Sequence, residues 1–200
     1  KLCPDCQQNP PSYRRCIAAF EYQKGAIDKL ILDIKTNPHS PEATQLSNLL
    51  SDVISLAYQD SAMPTIMIPV PLHWRKLLMR GFNQSTNIAS SLSRKFNNTV
   101  ILDNTCLRRA SSSPQHLKSR SERLRGMRNA FRMRNNIDYE PDTKANRTNN
   151  PIRGKSVAIV DDVVTSGATA GSLASTLIKA GAKHVDIWCI ARTGWHIMSD

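Results

Sequence analysis

No apolar run in this sequence approaches the roughly eighteen residues that a membrane-spanning helix needs. No charged-then-apolar leader with a small-residue cleavage site opens it either. The two absences predict a cytoplasmic protein with no membrane span. Cysteine is sparse and odd in number, five residues with one close pair, which excludes a disulfide framework and agrees with a reducing compartment. An initiating methionine is missing too: the chain begins at Lys1, two residues before a cysteine motif, and upstream residues are expected. Acids are nearly absent from one region. Between Ser61 and Arg134, fourteen Lys and Arg face only Asp103 and Glu122, whereas the rest of the chain holds thirteen basic and fourteen acidic residues. The excess behind the net charge of +11 therefore belongs to the middle third. Charge concentrated in this way implies a polyanionic ligand.

What is present is organised around residues 155–169. Val157-Ala158-Ile159-Val160 is a short apolar run, three of its four residues β-branched, as in a strand buried on both faces. Asp161 and Asp162 follow where that strand is expected to run out. Thr165-Ser166-Gly167-Ala168-Thr169 is small and hydroxyl-rich, and a helix is expected from about Thr169 to Lys179. Converging amides, hydroxyls and the positive end of a helix dipole suit one anion, a phosphate. The two acids would repel that phosphate, but they suit the vicinal hydroxyls of a sugar attached to it. The plain alternative is a strand, a turn and an N-capped helix with solvated acids.

This pattern resembles the ribose-phosphate motif of the type I phosphoribosyltransferases. The resemblance implies that Asp161 and Asp162 bind the ribose hydroxyls of phosphoribosyl pyrophosphate (PRPP), and that Thr165, Ser166, Gly167, Ala168 and Thr169 hold its 5′-phosphate. Mg²⁺ would accompany PRPP, mainly on pyrophosphate and ribose oxygens and water.

Upstream, Thr65 to Pro71 reads as a core strand with an irregular, proline-marked exit. Ligands of open α/β sheets bind beyond the carboxyl ends of the strands, so this exit should lie beside the Asp161 loop. Arg75, Lys76 and Arg80 in it are candidates for the pyrophosphate, or are ordinary surface cations. A helix is expected from about Phe82 to Arg94. Val70-Pro71-Leu72-His73, Arg80-Gly81-Phe82-Asn83-Gln84, the single cysteine pair and the Asp-Asp loop together resemble the competence protein F (ComF, GntX-like) family, from the cysteine pair to Ala191-Arg192-Thr193. That resemblance implies a role in natural transformation, with handling or import of single-stranded DNA. DNA-uptake proteins such as a helicase are the implied partners.

The expected fold is α/β: a largely parallel, doubly wound sheet of type I phosphoribosyltransferase-like kind, residues 41–200, after a cysteine-bearing N-terminal piece, residues 1–40. Within that piece, residues 13–35 should give a small strand and a helix that join the main domain. Cys3 and Cys6 have the spacing of half a zinc site, so the piece reads as a partial zinc ribbon that binds Zn²⁺ if an upstream cysteine pair exists. A redox pair or inert thiols are the other readings. From Leu107 to Arg134, nine basic residues oppose Glu122 alone. Arg108, Arg109, Lys118, Arg120, Arg123, Arg125 and Arg128 form a basic loop that either closes over the sugar site or grips DNA phosphates. No general base and no acceptor-clamping aromatic segment is legible, so catalysis stays open. The alternative function is a metabolic phosphoribosyltransferase acting on an amine or nucleobase.

Overall fold

The computed structural model describes residues 10–22, 25–97, 99–102, 105–108, 130–134 and 150–193. The central sheet has five strands: β1 (Cys16–Glu21), β2 (Ile66–Pro69), β3 (Val100–Ile101), β6 (Ser156–Val164) and β7 (His184–Arg192). Their order is β1-β7-β6-β2-β3 and every pairing is parallel. A separate antiparallel pair joins β4 (Cys106–Arg108) to β5 (Phe131–Met133). Among the described residues five helices accompany them: α1 (Ala26–Thr36), α2 (Pro41–Ala57), α3 (Trp74–Arg80), α4 (Gln84–Lys95) and α5 (Ala168–Lys179).

Alternation along the strands sends side chains to two separate cores. Ile66, Ile68, Val157, Ile159, Val185 and Ile187 pack on one face, under α5 and the β4–β5 pair. Met67, Ala158, Val160, Trp188 and Ile190 pack on the other, under α1, α2 and α4. Trp188 is fully buried there, with the Tyr58 and Phe96 rings edge-on at 6.0 and 5.9 Å. Burial on both faces is why β6 and β7 read as nearly unbroken apolar runs. The expected parallel, doubly wound α/β architecture is thus observed. β1 and α1, which precede residue 41, contribute to the same sheet and core.

Two local expectations are corrected. β6 continues through both acids to Val164, because β-branched Val163 and Val164 go on pairing with Ala191 and Arg192 of β7. The exit after β2 is a short helix, α3, started by the ring of His73, whose Nδ1 accepts from the Arg75 amide at 3.3 Å. Gly81 ends it in a left-handed conformation, φ 76°. The β4–β5 pairing had no legible signal, since its strands are three residues each and 22 residues apart in sequence.

β2 and β6 are neighbours whose chains leave in opposite senses. After β2 the chain crosses to β3 through α3 and α4 over one face, and after β6 it crosses to β7 through α5 over the other. The crevice beyond their carboxyl ends is the switch point where such sheets bind ligands.

Candidate functional site

The site begins where β2 stops. The last bond between the two strands runs from the Val70 amide to Val160 O, 2.9 Å, so Asp161 is the first residue of β6 past the end of its neighbour. Ser85, in the first turn of α4, reaches into that gap and its hydroxyl donates to Asp161 Oδ1 at 3.2 Å. Asn83 holds α4 in place by capping it, accepting from the Ser85 amide at 3.2 Å and donating to Val70 O at 3.0 Å. The Asp162 amide also donates to Asp161 Oδ1, at 2.9 Å.

Asp161 and residues 163–170 line a cavity of about 40 Å³, more than one water requires and enough for a compact group of a few atoms. Gly167 sets its shape. With φ 71° and ψ 0° it is left-handed, and a Cβ there would stand 3.1 Å from the Tyr13 hydroxyl oxygen. Both conditions call for glycine. α5 follows with no side-chain cap; Gly171 donates to Gly167 O at 2.7 Å, and the Ser166 hydroxyl approaches the Ala168 amide at 3.4 Å. First-turn amides have no carbonyl of their own helix to bond, so this end of α5 offers donors and a positive dipole to an anion.

The two acids part company. Asp161 is on the cavity wall, whereas Asp162 is not among its lining residues and stands 2.9 Å from Lys35 Nζ of α1. That contact is an ion pair on Oδ2, an oxygen sealed from solvent. Burial, and then the charge of Asp162, push the Asp161 carboxyl well above the usual carboxylate range. Burial acts in the same direction on Asp162, but the Lys35 charge and local hydrogen bonds outweigh it and hold that carboxyl below the usual range.

The cations distribute unevenly. Arg75 and Lys76 lie exposed on α3, with the Arg75 guanidinium 5.2 Å from the centre of the Trp74 ring, and neither lines the cavity. Arg80 is half-buried and donates to Gln84 Oε1 at 3.2 Å, one residue from Ser85. Arg108 is half-buried on β4, 5.7 Å from the Phe131 ring centre, where burial lowers its pKa and the charge of Asp161 opposes that lowering. Its charge therefore bears on the Asp161 site. Arg109, Lys118, Arg120, Arg123, Arg125, Arg128, Cys3 and Cys6 lie outside the described residues. Sequence reasoning missed Lys35, Ser85 and Tyr13, which reach the site from three other parts of the chain.

No family model matches the chain. It is 33 % identical over 193 residues to the DNA utilization protein YhgH of Shigella flexneri, covering 96 % of this chain and 78 % of that one. It is 26 % identical over 199 residues to Competence protein F of Haemophilus influenzae, covering 95 % and 78 %. Among solved structures, glutamine PRPP amidotransferase from B. subtilis matches 78 % of this chain and 30 % of its own, at 16 % identity and a TM-score of 0.44, a likeness too slight to bear on the site. Among the described residues no helix is long and apolar enough to cross a membrane. The relatives along nearly the whole chain, with a parallel sheet that opens at its switch point onto an Asp-Asp strand end and a glycine loop, place this chain in the competence protein F (ComF/GntX-like) family, on a parallel, doubly wound α/β fold.

Proposed function

We propose that this chain binds PRPP at the carboxyl end of β6 and acts on single-stranded DNA in natural transformation. The observation that carries the proposal is the Gly167 cavity with Asp161 on its wall. A 5′-phosphate in that cavity would meet the amide end of α5, and the attached ribose would extend toward the acids. Arg80, close to Ser85 through Gln84, and Arg108, within the field of Asp161, supply positive charge for the pyrophosphate. Among the described residues no three His, Cys, Asp or Glu side chains form a metal cage. This donor set fits Mg²⁺ carried on ligand oxygens and water, where the ion would neutralise pyrophosphate charge.

The chemistry open to such a site is displacement of pyrophosphate from ribose C1 by a nucleophile. The contribution of the protein would be positioning and charge stabilisation. For DNA, the middle third supplies cations, and half-exposed Trp74, between His73 and Arg75 and followed by Lys76, adds aromatic surface that a base can meet. The name of the Shigella relative, a DNA utilization protein, supports the DNA half of the reading.

Calorimetry with PRPP and Mg²⁺ tests the first half. Wild type should bind, and Asp161→Ala combined with Asp162→Ala should not; equal heats from both would remove PRPP from the account. For the second half, binding to single-stranded oligonucleotides should weaken steeply as salt rises. An undetectable signal at low salt would leave DNA contact to another protein.

A further inference from the structure

Among the described residues Lys35 is the cation set directly on the acid pair, yet nothing in the local sequence marks it. It follows Ile34, a core residue of α1 that is 1 % exposed, and so comes off the edge of the helix's buried face. Its own side chain keeps 30 % exposure while Asp162 keeps 7 %, so the ammonium borders solvent and the carboxylate does not. The end of α1 is also tied to α4: Asn87 donates to Pro38 O at 3.1 Å, three residues beyond Lys35. α4 is the helix whose Ser85 hydroxyl bonds Asp161. The two acids are thus held from two braced helices, Asp161 by a neutral donor and Asp162 by a charge.

We infer that Lys35 is a positioning residue for sugar-hydroxyl selection: it holds the Asp162 carboxylate charged and aimed, so that this acid accepts a hydroxyl of a bound ribose. The inference rests on the ribose-phosphate reading above and adds to it the group that makes Asp162 usable. A charged acceptor distinguishes a hydroxyl from its absence far better than a neutral one. Lys35 sits on Asp162 Oδ2, an atom sealed from solvent, so its charge fixes that oxygen from behind and leaves Oδ1 as the one for a ribose hydroxyl. Methionine at position 35 would keep the length and apolar stem of lysine and remove the charge, whereas arginine would keep the charge.

The test is a set of binding titrations on the full 200-residue chain. The probes are ribose 5-phosphate, 2-deoxyribose 5-phosphate and inorganic phosphate. Wild type should favour ribose 5-phosphate over the deoxy sugar by about tenfold, the worth of one hydrogen bond to a charged group. Lys35→Met should lose that preference and bind inorganic phosphate unchanged, and Lys35→Arg should restore much of it. A merely structural lysine would move all three probes together or none of them, and either result overturns the inference. Tighter sugar binding by Lys35→Met would overturn it as well, by showing that the lysine blocks the acid. Wild type that binds phosphate but neither sugar phosphate would instead defeat the ribose reading itself, and the role of Lys35 with it.

Discussion

Two buried aspartates on adjacent strands of one sheet have opposite fates. Asp186 of β7, paired with Ala158, is 1 % exposed and surrounded by donors: Arg14 Nε and a terminal guanidinium nitrogen at 3.0 and 2.6 Å, Arg15 Nε at 3.4 Å and the Tyr58 hydroxyl at 2.5 Å. The Trp188 indole backs Tyr58 at 3.2 Å, and Arg15 lies over the Tyr58 ring at 4.0 Å. Asp161 of β6, paired with Cys189, is 9 % exposed and receives one hydroxyl and one amide, both on Oδ1. Burial works against ionisation at Asp186 too, but the Arg14 and Tyr58 bonds and nearby charges bring its pKa below normal, whereas that of Asp161 is raised. A buried carboxylate given enough donors is part of the scaffold. One given too few costs stability, and a ligand can supply what it lacks.

This contrast can be broken at several points. The largest effect is expected from Arg14→Ala, which leaves Asp186 with Arg15 and Tyr58 alone. It should cost about 3 kcal/mol in denaturant unfolding, the lower end for a broken buried pair because partners remain. PRPP affinity of the folded fraction should stay unchanged; a parallel loss of affinity would mean that the scaffold and the site are not separable. Gly167→Ala comes next, at about 1–3 kcal/mol for a left-handed backbone forced on a residue with a Cβ, with loss of phosphate binding. If its stability and phosphate affinity matched wild type, the loop geometry described here would be wrong.

Ser85→Ala should be milder, about 1 kcal/mol, because it removes a single hydroxyl donor from a carboxyl that still receives an amide. Its readout is PRPP affinity at constant fold, and a neutral result would detach α4 from the site. The smallest expected effect lies in pH dependence, where the two aspartates have opposite signs. Asp186, with a lowered folded pKa, gives stability that is present above the unfolded carboxylate pKa of about 3.9 and is lost as pH falls through its folded value. Asp161, with a raised folded pKa, binds a proton that the unfolded chain has already released. Stability therefore falls as pH rises from about 3.9 through the folded value of Asp161. Asp161→Asn should flatten that decline and raise the melting temperature near neutrality while weakening sugar-phosphate binding. A lower melting temperature would contradict the assignment.

These residues also show what a sequence can display. β6, its acids and the Gly167 loop were legible because strand, ligand groups and helix start are contiguous in the chain, and each has a compositional mark. Their boundaries shifted because two valines after the acids pair with β7, a tertiary effect that composition does not carry. Lys35, Ser85 and Tyr13 were not legible. They lie 127, 76 and 154 residues from Asp162, Asp161 and Gly167, the residues they stand beside, and each belongs to a stretch whose own pattern reads as ordinary helix or strand. Arg108 was read correctly as basic, but its proximity to Asp161 depends on a pairing with β5 that has no local signal.

The most direct test of the central claim is a backbone amide NMR titration with PRPP and Mg²⁺. The account predicts saturable shifts at Thr165 to Thr169, extending to Asp161 and Asp162, with Arg14 and Asp186 unmoved. Saturable binding that leaves those loop amides unshifted and moves another part of the sheet would contradict it.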